Sequence, residues 1–186
     1  MNNQNNDKRS RLVEAASRLF HEKGVNTTTL ANIAEAADVP LGNVYYYFKS
    51  KDSIVLAVVE SRRNAIKSLI NDIEANNASP RAKLEAFIAK NFANNENIAS
   101  FGDSLGSLCQ ELGKQQGALS TATSGIMQDI IVWLEAQFSS LGKADAQKRA
   151  VELVSNIQGL NLLTLTFKDP QFAAKQGSFL VENIEA

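Results

Sequence analysis

The segment Thr27-Thr-Thr-Leu-Ala-Asn-Ile-Ala-Glu-Ala-Ala-Asp-Val-Pro-Leu-Gly-Asn-Val-Tyr-Tyr-Tyr-Phe-Lys-Ser-Lys-Asp52 holds two short apolar stripes separated by a turn. Thr28 or Thr29 caps a helix carrying Leu30, Ile33, Ala34 and Ala37 on one face, and Ala37-Asp38-Val39-Pro40 ends it after roughly two turns. Pro40 suits the first position of the next helix, because its φ is fixed and its missing N–H is not needed there. That helix reaches about Tyr47. Two short helices joined in this way let the second enter a DNA major groove while the first crosses the backbone. Tyr45, Tyr46 and Tyr47 in succession are chemically odd for a surface. A phenol offers a flat apolar face and a hydroxyl that bonds phosphate, so groove contact accounts for them. Lys49 and Lys51 then stand where ammonium groups meet phosphates and hold register without reading sequence. Taken singly, each lysine is equally an ordinary solvated charge.

Upstream, residues 1–6 are rich in Asn and Gln with no apolar anchor and read as a disordered tail. Leu12, Ala15, Ala16, Leu19 and Phe20 recur at helical spacing, and Gly24 ends a helix over about 8–23. Downstream, Ser50 caps a long helix from Lys51 to about Asn76. Residues 54–59, rich in β-branched side chains, would alone pass for a strand, but no turn signal follows for about twenty residues. Ser79-Pro80 opens a helix through Phe87, Ile88 and Phe92, and 94–102 reads as a connection. Helices follow over about 103–112, 120–141 and 145–167, and Asp169-Pro170 opens the last one. There is no convincing strand and no repeat. The expectation is an all-α chain of about nine helices: a tail at 1–6, a three-helix helix-turn-helix domain at 7–52, and a larger helical domain for ligand binding and dimerisation at 53–186.

The bulk composition leaves few other chemistries. A chain of 186 residues, 44% apolar and 21% charged, can bury a core without staples. One cysteine, Cys109, makes no internal disulfide, and the polar start is no secretory signal, so a reducing, cytoplasmic setting is expected. No apolar run approaches the ~18 residues of a membrane span. Net charge is −1, so any affinity for nucleic acid must come from local placement. His21 is the single histidine, which rules out a His-based triad or a zinc cluster, and no Gly-x-Gly or Gly-Lys-Ser pattern cradles phosphate. No metal and no cofactor is expected.

Phe20, Gly24, Thr28-Thr29-Leu30, Ile33-Ala34, Val39, Gly42 and the run Val44-Tyr45-Tyr46-Tyr47-Phe48-Lys49-Ser50-Lys51 together resemble the DNA-binding domain of the tetracycline-repressor (TetR/AcrR) family over about residues 9–59. Beyond it the chain resembles that family only in length and helix count. The resemblance implies Thr28 near a backbone phosphate, Leu41, Gly42, Asn43, Tyr45 and Tyr46 facing the groove, and Tyr47 and Lys51 on phosphates; Thr29 and Lys49 join them as candidate DNA contacts. Val39, Val44 and Phe48 would be core. Periodicity instead puts Leu41 on the buried stripe with Val44, Tyr45 and Phe48; the resemblance exposes it, where a leucine can pack on a thymine methyl. The sequence departs from the family at Asp38, where glycine is usual, at Pro40, where a serine or threonine cap is usual, and at Leu41, commonly basic or polar. Asp38 tolerates a left-handed turn.

Val151, Leu153, Val154, Ile157, Leu160, Leu162, Leu163 and Leu165 make the helix over 145–167 apolar around most of its circumference, so it needs covering on two sides. With Phe172, Phe179 and Leu180 this resembles the family's four-helix dimer interface; a central core helix would give the same pattern. Phe101, Leu105, Cys109, Met127 and Trp133 belong to an aromatic and aliphatic stripe that reads as core or as the lining of an effector pocket, with Gln110, Asn156 or Asn161 as polar fixers. Cys109 lies among Leu105, Leu108 and Leu112. Apolar burial would quieten it as a structural thiol, against the alternative of an electrophile sensor.

The resemblance thus implies a homodimeric repressor that binds double-stranded, (pseudo)palindromic operator DNA and is released by an unidentified small-molecule effector, with no membrane partner. An activator, or a regulator answering to no ligand, would have the same sequence signature. A helical enzyme is the remote rival, and it lacks the nucleophile and ligand sets that hydrolytic chemistry needs.

Overall fold

The computed structural model describes residues 2–115 and 117–184; of 2–6 and 174 only the backbone is described. The described residues form ten α-helices and no strand: α1 (Asn2–Lys23), α2 (Leu30–Ala36), α3 (Leu41–Tyr47), α4 (Lys51–Asn76), α5 (Pro80–Asn91), α6 (Asn95–Phe101), α7 (Ser104–Gly113), α8 (Ala118–Ser140), α9 (Ala146–Phe167) and α10 (Pro170–Glu182). No helix among them is long and apolar enough to cross a membrane.

Local chemistry sets most of the boundaries. Ser50 Oγ accepts from Ser53 N–H and Ser53 Oγ from Ser50 N–H, both at 3.2 Å, a reciprocal cap that starts α4 where the sequence indicated. Ser79 caps α5 through Ala82 N–H, and Asp169 caps α10 through Gln171 N–H, each with proline in the first turn. Left-handed residues end α1 at Gly24 and α9 at Lys168.

Three expectations are corrected. α1 starts at Asn2 rather than near residue 8, so 2–6 continue a helix and only the first residue of the supposed tail lies outside the described residues. Polar residues without proline or glycine lower helix propensity but do not break a helix already nucleated downstream. The connection expected at 94–102 contains α6, whose two buried residues, Ile98 and Ala99, are too few to give a periodic signal; packing against α9 supplies what the pattern lacks. Pro40 sits one place earlier than expected, at the N-cap of α3, and leaves that cap without a side-chain bond.

The helices divide into two compact units. The first takes in the chain up to Ala65 together with Ser107–Ser124; the boundary expected at 52 falls inside it. Leu12 of α1, Ile33 of α2, Val44 of α3 and Ile54 of α4 are fully buried at its centre, each contributing roughly 1.5 to 3 kcal/mol. The second takes in Ile66–Gly106 and the chain from Gly125 onward. In it α6 and α10 pack on α9, whose buried residues form one stripe: Ala146, Ala150, Leu153, Ile157, Asn161 and Thr164. The opposite side of α9 is apolar and exposed at Val151, Leu162 and Leu163, as are Phe167 and Phe179.

Candidate nucleic-acid interface

The turn between α1 and α2 is the first part of the candidate interface to be fixed. Gly24 takes φ +88, and its N–H closes α1 on the Phe20 carbonyl at 2.9 Å. The two N–H groups that follow have no helix to enter. Glu111 of α7, in the same unit, supplies both acceptors: Val25 N–H to Oε2 at 2.8 Å and Asn26 N–H to Oε1 at 2.6 Å. A Cβ on Gly24 would stand 3.3 Å from Glu111 Oε2, so this carboxylate and a glycine at 24 belong together.

Thr29 then caps α2 in a capping box, accepting from Asn32 N–H at 3.1 Å while Asn32 Oδ1 accepts from Thr29 N–H at 3.0 Å. Thr28 behaves otherwise than expected. It is buried, and its hydroxyl donates to the Gly24 carbonyl at 2.8 Å, so the side chain closes the preceding turn rather than facing a phosphate. A carbonyl that has lost its helical partner needs a donor, and Thr28 is the nearest one.

The turn into α3 carries the one left-handed non-glycine residue of the candidate interface, Asp38, at φ +50. Arg11 of α1 braces it: Nη2 donates to the Ala37 carbonyl, to the Asp38 carbonyl at 2.9 Å and to Asp38 Oδ2 at 3.1 Å. The guanidinium gathers the carbonyls at the end of α2 and holds the turn that glycine would otherwise make without strain. Arg9 lies over the Phe48 ring at 5.2 Å, so α1 also steadies the end of α3.

On α3 the two sides differ sharply. Val44 and Phe48 are buried, as is Val39 before the helix. Leu41 is 42% exposed, Tyr45 50% and Tyr46 68%, with Gly42 and Asn43 also exposed. Periodicity therefore misplaced Leu41 and Tyr45, because a helix of two turns has room for only one buried row. Tyr47 is half-buried, and its ring meets Tyr46 edge-on at 5.0 Å. Lys49 Nζ donates to the Tyr45 carbonyl at 3.0 Å and completes the end of α3. Lys51 is half-buried, with Nζ on the Asn26 carbonyl at 3.2 Å; an ammonium has three protons, so two stay available.

The residues expected to line an effector pocket differ in exposure and in their partners. Phe101 is exposed. Leu105 is buried, and Met127 is half-buried. Trp133 is tied up: Nε1 donates to Glu74 Oε1 at 2.8 Å, and its ring lies 5.6 Å from Phe87. Glu74 also takes Lys83, and these two hydrogen bonds, Lys83 first, hold its carboxyl below the usual glutamate range. Cys109 is half-buried, with Sγ 3.8 Å from the Thr123 carbonyl. Asn161 is 2% exposed, and neither of its side-chain polar atoms has a hydrogen-bond partner. Among the described residues no three His, Cys, Asp or Glu gather in a way that would hold a metal ion.

Arg9, Arg11 and Glu111 escaped the reading of the sequence. Glu111 is 86 residues from Val25 and carries no local signal. Arg11 had an indirect one: an aspartate at a left-handed turn asks for a compensating donor.

Residues 12–58 match the model of bacterial regulatory proteins of the tetR family. The chain is 32% identical over 85 residues to the HTH-type transcriptional repressor KstR2 of Rhodococcus jostii, a match that covers 46% of this chain and 42% of that protein. It is 24% identical over 167 residues to the uncharacterised HTH-type transcriptional regulator YxaF of Bacillus subtilis, covering 88% and 87%. The match to KstR2 thus spans less than half of that relative's length. The crystal structure of SCO4454, a TetR-family transcriptional regulator from Streptomyces coelicolor, superposes with a TM-score of 0.87 over 96% of this chain and 94% of the other, at 18% identity. That likeness shows a shared fold, while the sequence match centres on the candidate interface just described. The chain is thus similar to the tetR family of bacterial regulatory proteins in sequence over residues 12–58, and to SCO4454 in fold over nearly its whole length.

Proposed function

We propose that the chain is a cytoplasmic repressor that binds a (pseudo)palindromic operator in double-stranded DNA as a homodimer and leaves it when a small molecule binds. The observation that carries the DNA reading is the face of α3: Leu41, Asn43, Tyr45 and Tyr46 stand in solvent while Val44 and Phe48 anchor the helix from below. Exposed aromatic and aliphatic side chains on a helix of the right size for a major groove need a reason, and base contact is one. Thr29, Tyr47, Lys49 and Lys51 carry hydroxyl and ammonium groups of the kind that bind phosphates.

A dimer is supported by the exposed apolar row on α9 and α10, where Leu162 is 53% and Phe167 59% exposed. Apolar surface of this kind is ordinarily covered, and two reading heads match two half-sites one or more helical turns apart. Release is supported by continuity: α4 runs unbroken from Lys51 to Asn76, so a displacement at its far end moves Lys51 as well.

Selection of bound genomic fragments tests the reading directly. On a selected fragment Tyr46→Ala costs roughly 1 to 3 kcal/mol of specific binding. Lys51→Ala weakens all duplexes alike and flattens the salt slope by about one. No preference for any fragment in dilute buffer refutes the proposal.

A further inference from the structure

The second unit holds sealed polar atoms without partners, and two of the residues that carry them are neighbours on one helix. Asn161 and Thr164 lie on the buried stripe of α9, one turn apart, and therefore on neighbouring ground. Asn161 Nδ2 and Oδ1 and Thr164 Oγ1 are all sealed from solvent without a hydrogen-bond partner. Buried polar groups are nearly always paired, because an unpaired one forfeits its hydration and gets nothing back. Two such residues side by side, one with both a donor and an acceptor idle, are a set rather than an accident of packing. Thr164 has not taken even the backbone carbonyl one turn back, the usual recourse of a threonine inside a helix.

The surroundings restrict what fits. Among the described residues of this unit the buried polar ones are Gln137, Asn161 and Thr164, and no buried side chain is ionisable. Among its half-buried cations, Arg81, Lys83 and Arg149 are already paired with Glu85, Glu74 and Asp145 respectively. A charged molecule beside Asn161 would find no buried counter-charge among the described residues. The nearby half-buried carboxylate of Asp103 is already engaged by Gln158 Nε2 at 3.2 Å and by the Gly106 N–H at 2.6 Å. Burying an unpaired charge is costly. Along the same stripe lie Ile157 and Leu153, both buried.

We propose that Asn161 and Thr164 anchor the effector, and that the effector is an uncharged, mainly apolar small molecule bearing one neutral group that both donates and accepts, such as a carboxamide. The inference rests on the reading of this chain as a ligand-released regulator and adds the class of ligand and the residues that select it. The carboxamide's oxygen accepts from Asn161 Nδ2, its N–H donates to Asn161 Oδ1 or to Thr164 Oγ1, and its apolar body lies along Ile157. Asn161 selects by what an unsuitable ligand would leave unpaired.

The test uses benzamide and benzoate, alike in shape and different in charge, with the full-length protein and thermal unfolding as readout. Benzamide at roughly tenfold its dissociation constant raises the midpoint by about 3 to 6 °C, while benzoate leaves it unchanged. Asn161→Leu, similar in volume, removes the idle polar atoms, so it raises the midpoint without any probe and abolishes the benzamide shift. Thr164→Val does the same more weakly. Equal shifts with benzoate, no shift with benzamide, or a lowered midpoint in Asn161→Leu each overturn the proposal; the last would mean that the amide is already satisfied, by water, in the free protein. Loss of DNA binding by the unaltered chain tells against the regulator reading instead, so the two failures are separable.

Discussion

Glu111→Ala isolates the least local element of the candidate interface. The carboxylate accepts Val25 N–H at 2.8 Å and Asn26 N–H at 2.6 Å. The two bonds are not equivalent once the acceptor is gone. Asn26 is exposed and takes water, so its loss is small; Val25 is buried, and its N–H is left unsatisfied at about 1 to 3 kcal/mol. Together with the charge-assisted part of both bonds the substitution costs about 2 to 3 kcal/mol, or about 4 to 12 °C in a chain of this size. Glu111→Gln falls between, because its amide has one oxygen for two donors and turns an NH2 toward the second. Hydrogen exchange is the sharper assay: the amides of Val25 and Asn26 exchange faster in Glu111→Ala, ahead of the amides of α1, whose bonds lie within the helix. Unchanged protection at those two amides would refute the assignment of Glu111 as the clamp on this turn.

Asp38→Gly removes the left-handed aspartate and raises the unfolding midpoint by about 2 °C; Arg11→Ala is then less damaging in the Asp38→Gly background than alone, and equal losses in both would contradict the bracing role. Glu74 has a folded-state carboxyl held below its ordinary range by Lys83 and then Trp133, so its contribution is present above the unfolded value and lost as pH falls through the folded one. The emission of Trp133, the single tryptophan, therefore stays constant around neutrality and changes only below the ordinary glutamate range, a step that Glu74→Gln removes; a midpoint at or above that range argues against the contact. Leu162→Arg places a charge in the exposed row of α9 and shifts sedimentation toward the monomer while the helical content stays; an unchanged dimer would move the interface elsewhere.

The sequence alone determined the helix pair at the N-terminal end, because everything that specifies it is local. Thr29 and Asn32 cap α2 within one turn, Gly24 ends α1 where a side chain would be strained, and Ser50 starts α4 with Ser53. The apolar rows of the long helices were legible for the same reason, since period is written along the chain. What the tertiary structure decided is which of two candidate rows faces inward and who serves the groups left over. Leu41 and Tyr45 lie outside because α3 has only two turns and Val44 with Phe48 already fills its buried side. Thr28 faces inward because a carbonyl after α1 needed a donor. Arg11 and Glu111 bind backbone groups 26 and 86 residues away, respectively, and α6 forms by packing on α9 despite a weak pattern of its own. Asn161 was a polar residue among leucines in the sequence; only its burial without a partner marks it as a position waiting for one. Backbone caps and periodicity act within a turn or two of the chain, whereas satisfaction of buried polar groups is settled by whatever the fold brings near.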